Sequence, residues 1–422
     1  MKTEVGVFIK NRLLFSYFIK KKCSIFKKLV DILLQNVLYT KYVHENIFRK
    51  EIHMKKLLSI LFFTCSCFSF AEHRISWEAV GALPAQKSYD KNIGTAGLLQ
   101  GMIDDYVIVG GGANFPIKPL TEGGSKVTHK DIYLLKESKN GLDLVEQIQW
   151  NTPIGYGASV STGKEIYYLG GSPEAAHNKD VLKVSVKNGK MKIEKVAELM
   201  LGFENGVATY QNGKIYYGVG KIEHEEGKLK NSNRFFVLDL KTGENKELAA
   251  FPGEARQQTV GQVLNGKFYV FSGGSSVSYI DGYAYDFEKN VWEKVADVVV
   301  NGEKILLLGA NSVKISEDEM LVIGGFNHDL WNEASDKLSN LKDKELADYK
   351  AQYFGKEPFR YGWNRKILVF NAKENRWRSI GEVPFDAPCG AAFLKHGNIL
   401  YSINGEIKPG VRTPRIFRGE FR

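Results

Sequence analysis

Leu321-Val322-Ile323-Gly324-Gly325 is an apolar run closed by two glycines, and the chain repeats that phrase six times. The others are Val107-Ile108-Val109-Gly110-Gly111, Tyr167-Tyr168-Leu169-Gly170-Gly171, Tyr216-Tyr217-Gly218-Val219-Gly220, Tyr269-Val270-Phe271-Ser272-Gly273-Gly274 and Leu400-Tyr401-Ser402-Ile403-Asn404-Gly405. Short apolar runs bounded by glycine read as buried strands. Their spacing is regular except before the last, where removing one insertion restores it, and a fixed period marks a repeat architecture.

Working outward, each glycine pair leads through a polar loop to a second strand, such as Asp131-Ile132-Tyr133-Leu134-Leu135 or Lys366-Ile367-Leu368-Val369-Phe370. A third strand often carries Trp, at Trp150, Trp292 and Trp377, and a short apolar link follows, as in Leu248-Ala249-Ala250-Phe251-Pro252. A fourth strand of small residues, such as Gly206-Val207-Ala208-Thr209-Tyr210, returns to the next glycine pair. Four strands in a unit of about 50 residues describe a propeller blade, and the Gly-Gly, Tyr and Trp spacing resembles the kelch repeat. The expected fold is all-β, a six-bladed kelch-type β-propeller spanning 72–422, with most aromatic side chains packed between blades.

The two ends complete each other. The unit from Gly390 onward ends in Arg415-Ile416-Phe417-Arg418-Gly419-Glu420-Phe421 without a Trp strand, whereas Ile75-Ser76-Trp77-Glu78-Ala79-Val80 is a Trp strand without a preceding unit. Pairing residues near 75 to 80 with the C-terminal strands closes the ring and removes an exposed sheet edge. The long interval from Gly325 to Asn404 holds strong helix formers with apolar residues three and four apart, which predicts a helical insertion at about 329–357 in the last-blade region, a lid over the central cavity.

Residues 1–71 hold 13 of the 58 basic and 4 of the 48 acidic groups, leaving 45 and 44 in the rest. A nearly neutral body carries no electrostatic footprint for nucleic acid. Met54-Lys55-Lys56, the apolar run from Leu57 and Ser69-Phe70-Ala71 have the three parts of a secretory signal over 54–71. The run is shorter than the roughly 20 residues a membrane span needs, so we expect export to the periplasm or beyond, with no membrane in the mature form. Translation is then expected to start at Met54, and 1–53 is an upstream extension outside the mature protein. Of the four cysteines only Cys389 lies beyond that region, which excludes an internal disulfide and a Cys metal cluster.

Loops after the glycine pairs emerge on one face near the axis. They bring Asn114, Ser172, His328 and Glu406 toward one pocket, with Asn205, Arg256 and Gln257 arriving from the links between blades. Glu406 is the one carboxylate directly after such a pair, and Pro409-Gly410 suits a type II turn that folds Arg412 back toward it. No paired-His metal motif appears, and His328 reads as a polar pocket residue.

Asn404-Gly405-Glu406-Ile407-Lys408-Pro409-Gly410-Val411-Arg412-Thr413, with the helical insertion before it, resembles the bacterial N-acetylneuraminate epimerases, or sialic acid mutarotases. The likeness extends to Ala249-Ala250-Phe251-Pro252-Gly253 and runs in rotated order, the family's first unit lying near Leu201, as a circular permutation would place it. The resemblance implies that Glu406 is the proton acceptor, that Arg412 assists it, and that no metal or other cofactor is required. It implies a small sugar acid as partner and is compatible with a homodimer. Asn114, Asn205, Arg256, Gln257 and His328 are candidate substrate contacts, and the acid is His328, Arg256 or a water. Two readings of the bare kelch pattern stand beside this: a non-catalytic propeller that binds glycan or protein, and an epimerase for another aldose or uronate.

Overall fold

The computed structural model describes residues 75–171, 178–225 and 227–421; the expected extension 1–53, the expected leader 54–71 and Ser172 lie outside them. Six antiparallel sheets, each with a path of four strands, make the six blades. Blade 1 comprises Ala96–Ile103, Tyr106–Asn114, Asp131–Ser138 and Gly141–Gln149. Blades 2 to 5 begin at Ala158–Ser161, Val207–Gln211, Val260–Leu264 and Asn311–Lys314. Blade 6 takes Ala392–His396, Ile399–Ile403 and Arg415–Phe421 from the end of the chain and Ile75–Ala82 from its beginning. Ile75 faces Phe421 and Ala82 faces Arg415, so the sheet edge at either end is covered by the other.

The first strands of the blades are neighbours in cyclic order, blade 6 touching both blade 5 and blade 1. One apolar cluster fills each of the six interfaces. Between blades 6 and 1, for example, Ala392 and Tyr401 meet Leu98 and Val107. Tryptophans reach back to the preceding blade: Trp377 packs its ring 4.9 Å from Phe271, and Trp292 lies 5.0 Å from Phe235. Each such side chain removed from water contributes about 1.5–3 kcal/mol.

The glycine pairs mark a backbone event. Two successive residues take positive φ in every blade: Gly111/Gly112, Gly170/Gly171, Gly218/Val219, Ser272/Gly273, Gly324/Gly325 and Asn404/Gly405. At Gly111 a Cβ would stand 2.0 Å from the Ile154 carbonyl oxygen, so no side chain fits there. Just inside these turns a second ring forms. Gly97 N donates to Gly390 O (2.8 Å), Tyr156 N to Gly97 O (2.9 Å), Asn205 N to Tyr156 O (2.7 Å), Gln258 N to Asn205 O (2.6 Å) and Gly390 N to Gly309 O (2.7 Å). All six residues have positive φ. These five bonds string the six residues into an axial ring that is open at one place, between Gln258 and Gly309.

Below it runs an axial cavity of about 540 Å³, lined by first-strand residues such as Gln100, Ser159, Gln262 and Phe393, with Tyr210 and Lys314 toward the opposite mouth. The insertion forms α1 (His328–Asn340) and α2 (Asp343–Phe354), followed by a 3-10 turn, Pro358–Tyr361. Asn327 caps α1 by accepting from the N–H groups of Asp329 (3.1 Å) and Leu330 (3.0 Å). The insertion lines no part of that cavity. It makes contact sideways instead: Ser278 Oγ of blade 4 donates to Asn332 Oδ1 (2.6 Å), and Lys408 Nζ of blade 6 to Lys356 O (3.2 Å).

Candidate functional site

After Gly405 the chain makes a small hairpin, Glu406–Lys408 against Val411–Arg412, turning at Pro409-Gly410 with Gly410 at φ 80°. Glu406 and Arg412 are direct cross-strand partners, which puts both side chains on one face. Arg412 Nη2 donates to Glu406 Oε2 at 3.0 Å, and Gly410 N donates to Oε1 at 2.8 Å. The carboxylate is therefore held in one orientation by two donors. Its backbone is anchored as firmly: Glu406 N–H and C=O each bond Cys389 at 2.8 Å, one residue from the axial-ring member Gly390. The Cys389 thiol below is buried, and burial, with the Glu406 charge adding to it, pushes its pKa up to about 12, so it stays a thiol.

Exposure separates the two partners. The Arg412 side chain is 4% exposed and that of Glu406 26%. Phe115 covers the guanidinium, its ring centre 4.9 Å from Arg412 Cζ. Beneath that ring, Arg412 Nε and Nη1 are buried and have no hydrogen-bond acceptor. Buried donors left without a partner cost about 1–3 kcal/mol each, and charged ones are the least tolerated. A guanidinium in this state is set to receive an anionic acceptor.

The other expected residues divide into two groups. Asn205 lies in the axial ring, its side chain donating to Glu204 Oε1 (3.3 Å), and Gln257 stands beside it, bridged to Gly274 through the backbone. His328 opens α1 on the same face, with Nδ1 2.8 Å from Asp329 Oδ1 and Asn332 Nδ2 3.2 Å from Nε2. Asn114 and Arg256 instead belong to the framework. Asn114 is 5% exposed; it donates to Gly94 O (2.9 Å) and accepts from His129 Nε2 (3.0 Å). Arg256 is fully buried, donates to Glu254 O (2.8 Å), Ser272 O (3.2 Å) and both oxygens of Asp281, and stacks 4.1 Å from the Tyr279 ring. With those bonds made, it has no free face for a substrate.

Glu204 and Tyr156, which arrive with Asn205 on the links between blades, also lie near the axis. Glu204, 6% exposed, bonds Lys221 Nζ at 3.0 Å in blade 3, diametrically across the ring from Glu406. Lys126 sets its ammonium 4.6 Å from the centre of the Tyr156 ring. Phe115 directly follows Asn114, so the glycine-pair rule reached one residue short of it. Among the described residues no group of three or more His, Cys, Asp or Glu is placed to hold a metal ion.

Six kelch-type blades carrying a fixed carboxylate–guanidinium pair on the glycine face define a kelch propeller with a polar site above its axis. The chain belongs to the N-acetylneuraminate epimerase family, whose sequence model matches residues 197–422 and so includes Glu406 and Arg412. The match opens just ahead of the Leu201 unit. Curated relatives include the N-acetylneuraminate epimerases of Salmonella typhi, 35% identical over 193 residues, and of Haemophilus influenzae (strain 86-028NP), 35% identical over 199 residues. These alignments cover 44% and 45% of this chain, and 49% and 52% of the relatives, so the chain spans about half the length of the curated relatives it matches. Among solved structures, "Structure of YjhT" aligns at 26% identity and a TM-score of 0.47, covering 54% of this chain and 64% of that one.

Proposed function

We propose that the protein is an exported sugar-acid mutarotase that interconverts the α and β anomers of N-acetylneuraminate. The observation that carries this reading is Arg412, buried with two N–H groups lacking an acceptor beside a fixed and partly exposed carboxylate. Membership of the epimerase family supports it. A sialic acid is a cyclic hemiketal with a carboxylate on its anomeric carbon. Glu406 removes the anomeric hydroxyl proton while an acid protonates the ring oxygen; the C–O bond breaks, and the ring opens to a ketone. Rotation and reclosure on the opposite carbonyl face give the other anomer. Base catalysis of this kind contributes about 10²–10⁴ in rate.

Arg412 holds the substrate carboxylate, a task its planar fork suits. Because Phe115 roofs the guanidinium, the carboxylate displaces that ring as it binds. With Arg256 sealed in the framework, His328 or a water supplies the ring-oxygen proton. The leader at 54–71 supports export to the periplasm.

Proton NMR on freshly dissolved single anomers tests this. The expected result is accelerated exchange with the wild-type protein, reduced about 10²–10⁴-fold in Glu406→Gln. Unaccelerated exchange across several sialic acids overturns the reading in favour of a binding propeller, and equal accelerated rates in the two proteins remove Glu406 as the base.

A further inference from the structure

A second cavity of about 260 Å³ lies within the helical insertion, between α1, α2 and the 3-10 turn, and neither Glu406 nor Arg412 lines it. Its walls are aromatic. Tyr349 and Tyr353 are stacked with centres 5.7 Å apart, and half-buried Trp331 and Trp363 stand opposite on Phe326. Tryptophans left part-exposed inside a concavity offer flat apolar faces that an ordinary helix–helix contact would have covered.

The charge on its lining is one-sided. Three cations, Lys337, Lys356 and Arg360, meet one carboxylate, Glu333. Glu333 is matched by Lys337 at 2.6 Å. Lys356 and Arg360 have no carboxylate within ion-pair distance among the described residues; they lie over the Tyr353 ring (5.3 Å) and the Phe359 ring (5.7 Å), and Lys356 acts on Glu333 only through its longer-range charge. Two further polar groups, the Gln352 amide and the Tyr349 hydroxyl, carry no hydrogen bond to another described residue, so they are open to a ligand.

We infer that this cavity is a binding site for a single pyranose ring bearing a carboxylate, separate from the Glu406 site. The aromatic faces take the C–H face of the ring, Gln352 and Tyr349 meet its hydroxyls, and Lys356 with Arg360 holds the acid. Size selects one ring: the cavity is smaller than the roughly 300–1,000 Å³ of drug-sized sites. The inference does not depend on the mutarotase reading, because it uses none of that site's residues. It gives the insertion a role that the axial cavity, which it does not line, cannot.

Saturation-transfer NMR on the whole protein in the Arg412→Ala background tests it, with glucuronate, glucose and benzoate as probes. The expected result is transfer to glucuronate that weakens at high salt, little to glucose or benzoate, and at least a tenfold weaker Kd when Lys356→Ala and Arg360→Ala are combined. Both side chains lie at the surface edge of the insertion, and an unchanged thermal midpoint verifies that the double variant is folded; quenching of Trp fluorescence by glucuronate gives a second readout. Absence of transfer, benzoate binding as well as glucuronate, or an unchanged Kd in the double variant each overturns the proposal. So does binding seen with Arg412 intact and lost in Arg412→Ala alone, which would assign the sugar to the Glu406 site.

Discussion

Two arginines on the glycine face, Arg256 and Arg412, are each buried, each paired with a carboxylate and each stacked on an aromatic ring, yet they do opposite things. Arg256 makes four hydrogen bonds to Glu254, Ser272 and Asp281. Arg412 makes one, to Glu406, and leaves Nε and Nη1 without an acceptor. An inventory of donors, more than burial or charge, separates an arginine that finishes the fold from one that awaits a ligand. The pair also differs in backbone support: Asp281 is reached across the blade from a link, whereas Glu406 and Arg412 sit on one seven-residue hairpin.

The sharpest way to break this comparison is to remove each arginine and measure unfolding. Arg256→Ala leaves Asp281 without its partner and should lower stability by about 3–5 kcal/mol. Arg412→Ala should change urea-unfolding stability by less than about 1 kcal/mol, since it removes two unsatisfied donors along with one good bond and Glu406 keeps Gly410 N–H. Equal losses in the two variants would end the distinction. Activity should reverse the order, Arg412→Ala raising KM for a sugar acid while a mildly destabilising Arg256→Lys leaves it alone.

A smaller effect sharpens the same contrast. If Phe115 must leave the Arg412 guanidinium for a carboxylate to enter, Phe115→Ala should lower KM by up to about tenfold with kcat unchanged. That is the relief expected when a closed form favoured about 10:1 no longer competes with binding. A raised KM would instead make Phe115 part of the binding surface.

The propeller was legible because its determinants are local and repeat. An apolar run ending in consecutive positive-φ residues can be read six times, and even Asn404 and Ser272, which take φ 59° and 60°, sit where the period places them. The Glu406–Arg412 hairpin was legible for the same reason, since Pro409-Gly410 dictates the turn. Asn114 and Arg256 were misread as pocket residues because their partners, His129 and Asp281, arrive from loop positions 15 and 25 residues further along the chain. Nothing in sequence spacing shows that a side chain's donors are already used. The insertion's helices were visible in its periodicity, but its contacts were not: Ser278 and Lys408, which it packs against, belong to other blades.

His129 offers the smallest and most specific check on what a satisfied polar pair does. Asn114 Nδ2 donates to the Gly94 carbonyl, so its Oδ1 must accept, and His129 Nε2 carries the proton in that 3.0 Å bond. Burial lowers the His129 pKa from its ordinary 6.5, the nearby Asp131 charge opposing but not cancelling this. The unfolded chain therefore takes up the proton first as pH falls. The stability contributed is full above about pH 6.5 and declines below it until the folded imidazole also protonates. His129→Gln, whose amide can still donate to Asn114, should flatten the fall in urea-unfolding stability between pH 7.5 and pH 5.5. The expected difference is no more than about 1.4 kcal/mol for each unit by which burial lowers the pKa, and an unchanged slope would remove His129 as its source.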